Sequence, residues 1–148
     1  MLHIILYEPE IPHNTGAIGR LCVATGARLH LIQPLGFSLD EKAVKRAGLD
    51  YWHEVDLHLW DDWQHFQSEH PNLPLFYYTT KTTQAHWDMT YPVDCGLVFG
   101  PESRGLPESM IEANAEQAVR IPMEAGPIRS LNLATAVGIG MFEAIRPQ

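Results

Sequence analysis

The stretch Gly96-Leu97-Val98-Phe99-Gly100-Pro101-Glu102-Ser103-Arg104-Gly105-Leu106-Pro107 decides how the chain is read. Gly96 to Phe99 is a short apolar run, the pattern of a strand buried on both faces. Gly100 to Pro107 then holds two glycines and two prolines in eight residues. Proline fixes φ and glycine frees it, so this backbone is held to one irregular path. Such a path brings backbone N–H and C=O groups close to a ligand. Pro107 is expected in the first turn of the next helix, where its missing N–H does no harm. A rigid strand-to-helix turn would account for the glycines and prolines alone. Opposite charges at Glu102 and Arg104 in so tight a loop point further, to a site.

Outward from this loop, strand-like and helix-like stretches alternate. His3 to Tyr7, Arg28 to Gln33, Leu75 to Thr79 and Val119 to Ile121 read as further strands, with a less regular strand region over Tyr51 to Leu59. Helical spacing appears over Asn14 to Ala24, which Gly26 ends, over Asp40 to Ala47, over Asp61 to His70, and most clearly over Asn132 to Ile145. Strands separated by helices predict an α/β fold, a mostly parallel sheet flanked by helices. With no repeat, low-complexity tract or linker, residues 1–148 read as one domain, a length that supports a proper core. Ligands of open α/β sheets bind outside the carboxyl ends of strands. The loops after Thr79, Phe99 and Ile121 are therefore expected to converge on one ligand. Gly138-Ile139-Gly140 lies inside a helix, not between strand and helix, so it is no dinucleotide-binding motif.

Two other segments carry candidate polar groups. Asn14-Thr15-Gly16-Ala17-Ile18-Gly19-Arg20 follows a loop shaped by Pro9 and Pro12. Asn14 reads either as a helix cap or as a site residue, and Arg20 either as a solvated helix charge or as a functional one. Ile121-Pro122-Met123 is followed at a distance by Arg129-Ser130-Leu131-Asn132-Leu133, which opens the long helix. Ser130 and Asn132 are both good capping residues, and a helix N-terminus also offers free N–H groups to a ligand.

Together, in this order, the three segments resemble the signature motifs of the SPOUT methyltransferases, which move a methyl group from S-adenosylmethionine to RNA. Within that group the chain is most similar to the small 2′-O-methyltransferases that modify the wobble nucleotide, cytidine or a modified uridine, of leucine tRNAs. Leu6 to Pro12, Arg46-Ala47-Gly48-Leu49-Asp50-Tyr51 and Thr79-Thr80-Lys81 extend the resemblance over nearly the whole chain. It implies a deep trefoil knot in the C-terminal third and a homodimer that buries the first and last helices. It also implies S-adenosylmethionine as cofactor and the anticodon stem-loop of a tRNA as partner. Family cofactor contacts would fall on Tyr78, Gly100, Ile121 and Ser130, with Leu131 adjacent. Thr79, Glu102, Gly105 and Met123 of the same loops complete the expected pocket. Arg20 would be the catalytic arginine, supported by Asn14, Glu102, Ser130 and Asn132, and would serve across the dimer interface. The chain departs from the pattern at Ala134, where relatives usually carry serine, at Phe142, where they usually carry tyrosine, and at Pro127-Ile128. Two other readings stay open. One is a 2′-O-methyltransferase for another tRNA or rRNA position, the other a non-catalytic RNA-binding factor with the same fold.

Charge bears on that partner. The formal net charge is −8, unusual beside the phosphate contacts that dominate nucleic-acid affinity. The bases are placed selectively, however. Lys42, Lys45 and Arg46 share one helical face and, with Arg20 and Arg129, are the expected RNA contacts. Two unpaired-looking cysteines and the absence of a signal peptide suggest a cytoplasmic protein with reduced thiols. No membrane partner and no metal are expected, because the eight histidines lack ligand spacing.

Overall fold

The computed structural model describes residues 1–40, 42–47 and 51–147, with the side chains of Ala43, Lys45 and Ala47 outside the described set. Along the chain the elements are β1 (Leu2–Tyr7), α1 (Pro12–Thr25), β2 (Arg28–Ile32), α2 (Lys42–Ala47), β3 (Leu57–Trp60), α3 (Trp63–Glu69), β4 (Leu75–Tyr78), β5 (Cys95–Phe99), α4 (Glu108–Ala113), β6 (Ala118–Val119) and α5 (Leu133–Ala144). The strands form one six-stranded sheet in the order β3-β2-β1-β5-β4-β6. Every pairing is parallel.

Why β1 and β5 take the centre follows from their composition. Leu2 to Leu6 and all of Cys95–Phe99 are buried, as a strand covered on both faces requires. Alternate residues serve opposite layers. Ile4 and Leu6 join Ile18 and Cys22 of α1 and Val137 and Met141 of α5 on one face. Ile5 and Val98 meet Phe66 of α3 and Ile111 of α4 on the other. From β1 the chain runs outward to β2 and β3, then returns to β4, β5 and β6 on the opposite side. The switch point therefore falls between β1 and β5, where ligands of open α/β sheets bind.

Several boundaries differ from the sequence reading. Helix α1 begins at Pro12, with Ile11 in the cap position, so Asn14 lies within the first turn and is no cap. Proline at the first helical position has φ suited to a helix start, which is why this loop-like stretch is already helical. Gly26, at φ 74°, closes the helix as expected. Asn132 does cap α5, its side chain accepting the Thr135 N–H, whereas Ser130 lies outside the helix. Pro107 stands at the cap of α4, one residue short of its first turn. The Tyr51 to Leu59 region divides into a 3-10 turn over Trp52–Glu54 and the edge strand β3. β6 stops at Val119, and Arg120 extends that edge only by a bridge to Ala85. Gly48, Leu49 and Asp50 of the family-like motif lie outside the described residues.

A polar cluster crosses β1, β2 and β3 within this apolar frame. The Trp60 indole N–H donates to His30 Nδ1 at 2.9 Å, which leaves the His30 proton on Nε2. That N–H can then donate to His3 Nδ1, 2.8 Å away. Burial holds both imidazoles below their ordinary range, His3 at about 4 and His30 at about 2. The two cysteines are free and buried, and burial pushes their thiols up, Cys22 to about 12 and Cys95 to about 11. Among the described residues, no helix is long and apolar enough to cross a membrane, and no group of three or more His, Cys, Asp and Glu is placed to hold a metal.

Candidate active site

Four strand ends deliver the loops of the site: Glu8–Ile11 after β1, Thr79–Lys81 after β4, Gly100–Pro107 after β5 and Ile121–Met123 beyond β6. The first and third are bound together by carboxylates. Glu102 accepts hydrogen bonds from the backbone N–H groups of Glu10 (2.8 Å) and Ile11 (2.9 Å) and from Asn14 Nδ2 (3.1 Å). In return, Glu10 accepts from the backbone N–H and hydroxyl of Ser103, at 2.8 and 2.9 Å. These bonds, the backbone one foremost, hold the Glu10 carboxyl below the usual carboxylate range. Arg104 closes the clamp on Glu8 at 2.6 Å, with Glu10 at 3.9 Å. Gly100 is required inside this loop, since a Cβ there would overlap the backbone of Gly105 and Leu106. Gly105 takes φ 71°, a conformation that glycine adopts without strain.

A polar chain carries this order across to α5. Asn14 Oδ1 accepts from Asn132 Nδ2 at 3.0 Å, and Asn132 in turn caps α5. The carboxylate of Glu102, the amide of Asn14 and the amide of Asn132 thus connect three segments spread over more than half the sequence. Asn14 is 5% exposed, so these bonds satisfy an amide that would otherwise be costly to bury.

The converging loops line an open cavity of about 610 Å³, within the usual range for a small-molecule site. Phe99, Leu106, Ile121, Leu131 and Leu133 give it apolar walls, and Thr79, Lys81, Ser130 and Asn132 give it polar ones. All nine expected pocket residues line it: Tyr78, Thr79, Gly100, Glu102, Gly105, Ile121, Met123, Ser130 and Leu131. Asn14 and Asn132 line it as well. The Tyr78 hydroxyl is engaged elsewhere, 2.9 Å from the Tyr91 hydroxyl and 3.3 Å from His86 Nδ1. Burial pushes that phenol well above its ordinary range. Gly140 of α5 accommodates the same ring, since a Cβ there would lie 2.9 Å from it.

Arg20 is not among the lining residues. It is exposed on α1, with its guanidinium carbon 5.2 Å from the centroid of the Tyr51 ring. Lys42 and Arg46 are exposed on α2, and the Lys45 side chain lies outside the described set. Arg129 is exposed and donates to the Gly126 carbonyl at 3.2 Å. Glu8 and Glu10 are site-building residues that the sequence reading left without a task. Their flanking prolines marked the loop, but pairing to residues more than ninety positions away leaves no local signal.

The parts needed to hold S-adenosylmethionine are present. Apolar side chains suit the adenine faces, and loop backbone groups suit its polar edge. The cavity also has polar walls for the amino-acid end. The Glu102 oxygens already accept three donors, so Glu102 shapes the loop.

Comparison with known proteins agrees. The tRNA (cytidine(34)-2'-O)-methyltransferase of Escherichia coli (strain K12) is 50% identical over 148 residues, spanning 99% of this chain and 93% of its own length. A solved structure on the 2-OH methylation of C/U34 on tRNA superimposes with a TM-score of 0.91 at 46% identity, spanning 99% of this chain and 95% of that one. An AdoMet-bound rRNA methyltransferase from Sinorhizobium meliloti superimposes at 0.87 and 26% identity, spanning 98% of this chain and 56% of that one. The profile of the SpoU rRNA methylase family matches residues 1–142, the whole sheet and most of α5 with it, and the chain belongs to that family.

Proposed function

We propose that this chain methylates the ribose 2′-OH of nucleotide 34, a cytidine or modified uridine, in leucine tRNAs, with S-adenosylmethionine as donor. The observation that carries this reading is the cavity over the carboxyl ends of β4 and β5, built from the loops that the sequence resemblance singles out. The relatives named for cytidine-34 methylation match over nearly their full length and support the choice of nucleotide. Bound there, S-adenosylmethionine supplies a sulfonium methyl that is already activated. The chain's task is then chiefly alignment and charge stabilisation. Ile121, Leu131 and Leu133 hold the adenine between apolar surfaces, and the 100–107 loop offers its backbone. Asn14, bonded to Glu102, and Asn132, bonded to Asn14, fix the floor on which the ribose is presented, with Ser130 beside it.

Arg20 supplies the positive charge. A guanidinium holds its proton too firmly to act readily as a base. It therefore steadies an RNA phosphate or the developing 2′-alkoxide while the proton leaves through phosphate or water. Arg20 is exposed and stands outside the cavity of its own chain, which supports service to the cavity of a second copy. Ile139, Phe142 and Ile145 of the last helix region are 39%, 53% and 43% exposed, and they suit a homodimer face. Lys42, Lys45, Arg46 and Arg129 extend the RNA surface. The fold is one domain acting without a metal in the cytoplasm, and its C-terminal third is threaded as a trefoil knot. Pulling the chain from both ends tests the knot: a knotted chain stops short of the full contour length, and an unknotted one reaches it.

The activity is tested with purified protein, methyl-labelled cofactor and tRNA, followed by mass mapping of the product. Label on the ribose of nucleotide 34 in leucine tRNAs is expected, and Arg20→Ala abolishes transfer while sparing cofactor binding. Methylation at another position, or none, overturns the reading.

A further inference from the structure

An exposed arginine has many rotamers open to it, whereas a guanidinium that meets a reacting oxygen must occupy one. What restrains Arg20 begins one residue earlier. Gly19 is buried on α1, and a Cβ there would lie 2.7 Å from the Trp52 ring and 3.3 Å from a Val55 methyl. Only the missing side chain lets the Trp52–Glu54 turn seat this close to the helix. Tyr51 is the residue that leads into that turn. The contact that fixes Trp52 therefore also brings the half-buried Tyr51 ring to the Arg20 guanidinium, 5.2 Å from centroid to carbon. This is cation–π range.

The type of partner matters. A carboxylate would occupy the guanidinium N–H groups and offset its charge, in competition with any phosphate. An aromatic ring takes the flat face and leaves the edge N–H donors available. We infer that Tyr51 is a positioning residue for Arg20: its ring holds the guanidinium by the face and leaves the donor edge to the RNA phosphate or the 2′-oxygen. The inference rests on the reading of Arg20 as the catalytic arginine.

The test uses the full chain with tRNA and S-adenosylmethionine, both saturating. Tyr51→Leu lowers kcat about fivefold, the upper end of what an exposed cation–π contact supplies. Cofactor affinity by calorimetry and the thermal midpoint stay at wild-type values. Tyr51→Phe, which keeps the ring, restores kcat to within about twofold. Should Tyr51→Leu fail to fold, Tyr51→Gln carries the same expectation. An unchanged kcat without the ring overturns the inference. So does a Phe variant as slow as the Leu variant, or a loss traced to cofactor affinity or to the thermal midpoint. Arg20→Ala, measured in parallel, separates the two levels. If it retains full activity, the reading of Arg20 itself fails. If it abolishes transfer while Tyr51→Leu turns over normally, only the positioning inference fails.

Discussion

At the scale of single residues, Glu102 has a different task from the one its charge suggests. Its oxygens accept from two backbone N–H groups of the β1–α1 loop and from Asn14, so it acts as a fastener between loops. Arg104 pairs with Glu8 in the same clamp. Removing the carboxylate strands three donors, one of them on a 5%-exposed asparagine. Glu102→Ala is therefore expected to destabilise the fold by about 2–4 kcal/mol, the range for losing hydrogen bonds to a charged acceptor and leaving partners unmet. Urea unfolding checks this, and a variant within about 0.5 kcal/mol of wild type would show the clamp to be incidental. The glycines and prolines of this loop were legible because each restricts or frees φ by itself. The partners of Glu8 and Glu10 were not, because a contact across ninety residues depends on the sheet bringing two strand ends together.

Among the elements, those buried on both faces were the readable ones. β1 and β5 are continuous apolar runs because helices cover both sides. β3 is an edge strand with His58 and half-exposed leucines, and β6 is two residues long, so neither carries a period to detect. The β1–β2–β3 half of the sheet also makes a pH prediction. His3 and His30 are neutral in the fold, linked to each other and to Trp60. Burial holds His3 at about 4 and His30 at about 2, both below the ordinary 6.5. As pH falls below 6.5 the unfolded chain takes up protons that the native chain refuses. The stability these groups contribute is thus full above pH 6.5 and is lost toward pH 4 and below. The expected slope is up to about 1.4 kcal/mol per pH unit for each histidine. Denaturant melts between pH 7 and pH 4.5 measure it. In His30→Phe the slope falls, whereas an unaltered slope places the acid sensitivity elsewhere.

The whole molecule must reconcile a net charge of −8 with an RNA substrate. Lys42 and Arg46 on α2 and Arg20 on α1 are exposed, and α1 and α2 are neighbours, so positive charge gathers on one side of an acidic body. In the proposed homodimer, a second copy brings that side to the cavity. Phe142→Glu places a charge in the exposed apolar row of α5 and is expected to give a monomer by light scattering. Under the proposed shared site, methyl transfer should then be lost as in Arg20→Ala, because a second copy's Arg20 no longer reaches the cavity. A variant that stays dimeric and fully active would remove the shared-site arrangement.

Beneath all of this lies the cavity itself, bordered by the segments that Glu102, Asn14 and Asn132 tie together, the proposed seat of the adenine and the sulfonium. Isothermal titration of S-adenosylmethionine into the folded protein tests that most directly. Saturable heat with one cofactor per chain is expected. Well-folded protein that gives no binding heat, and no protection of its thermal midpoint by the cofactor, would contradict it.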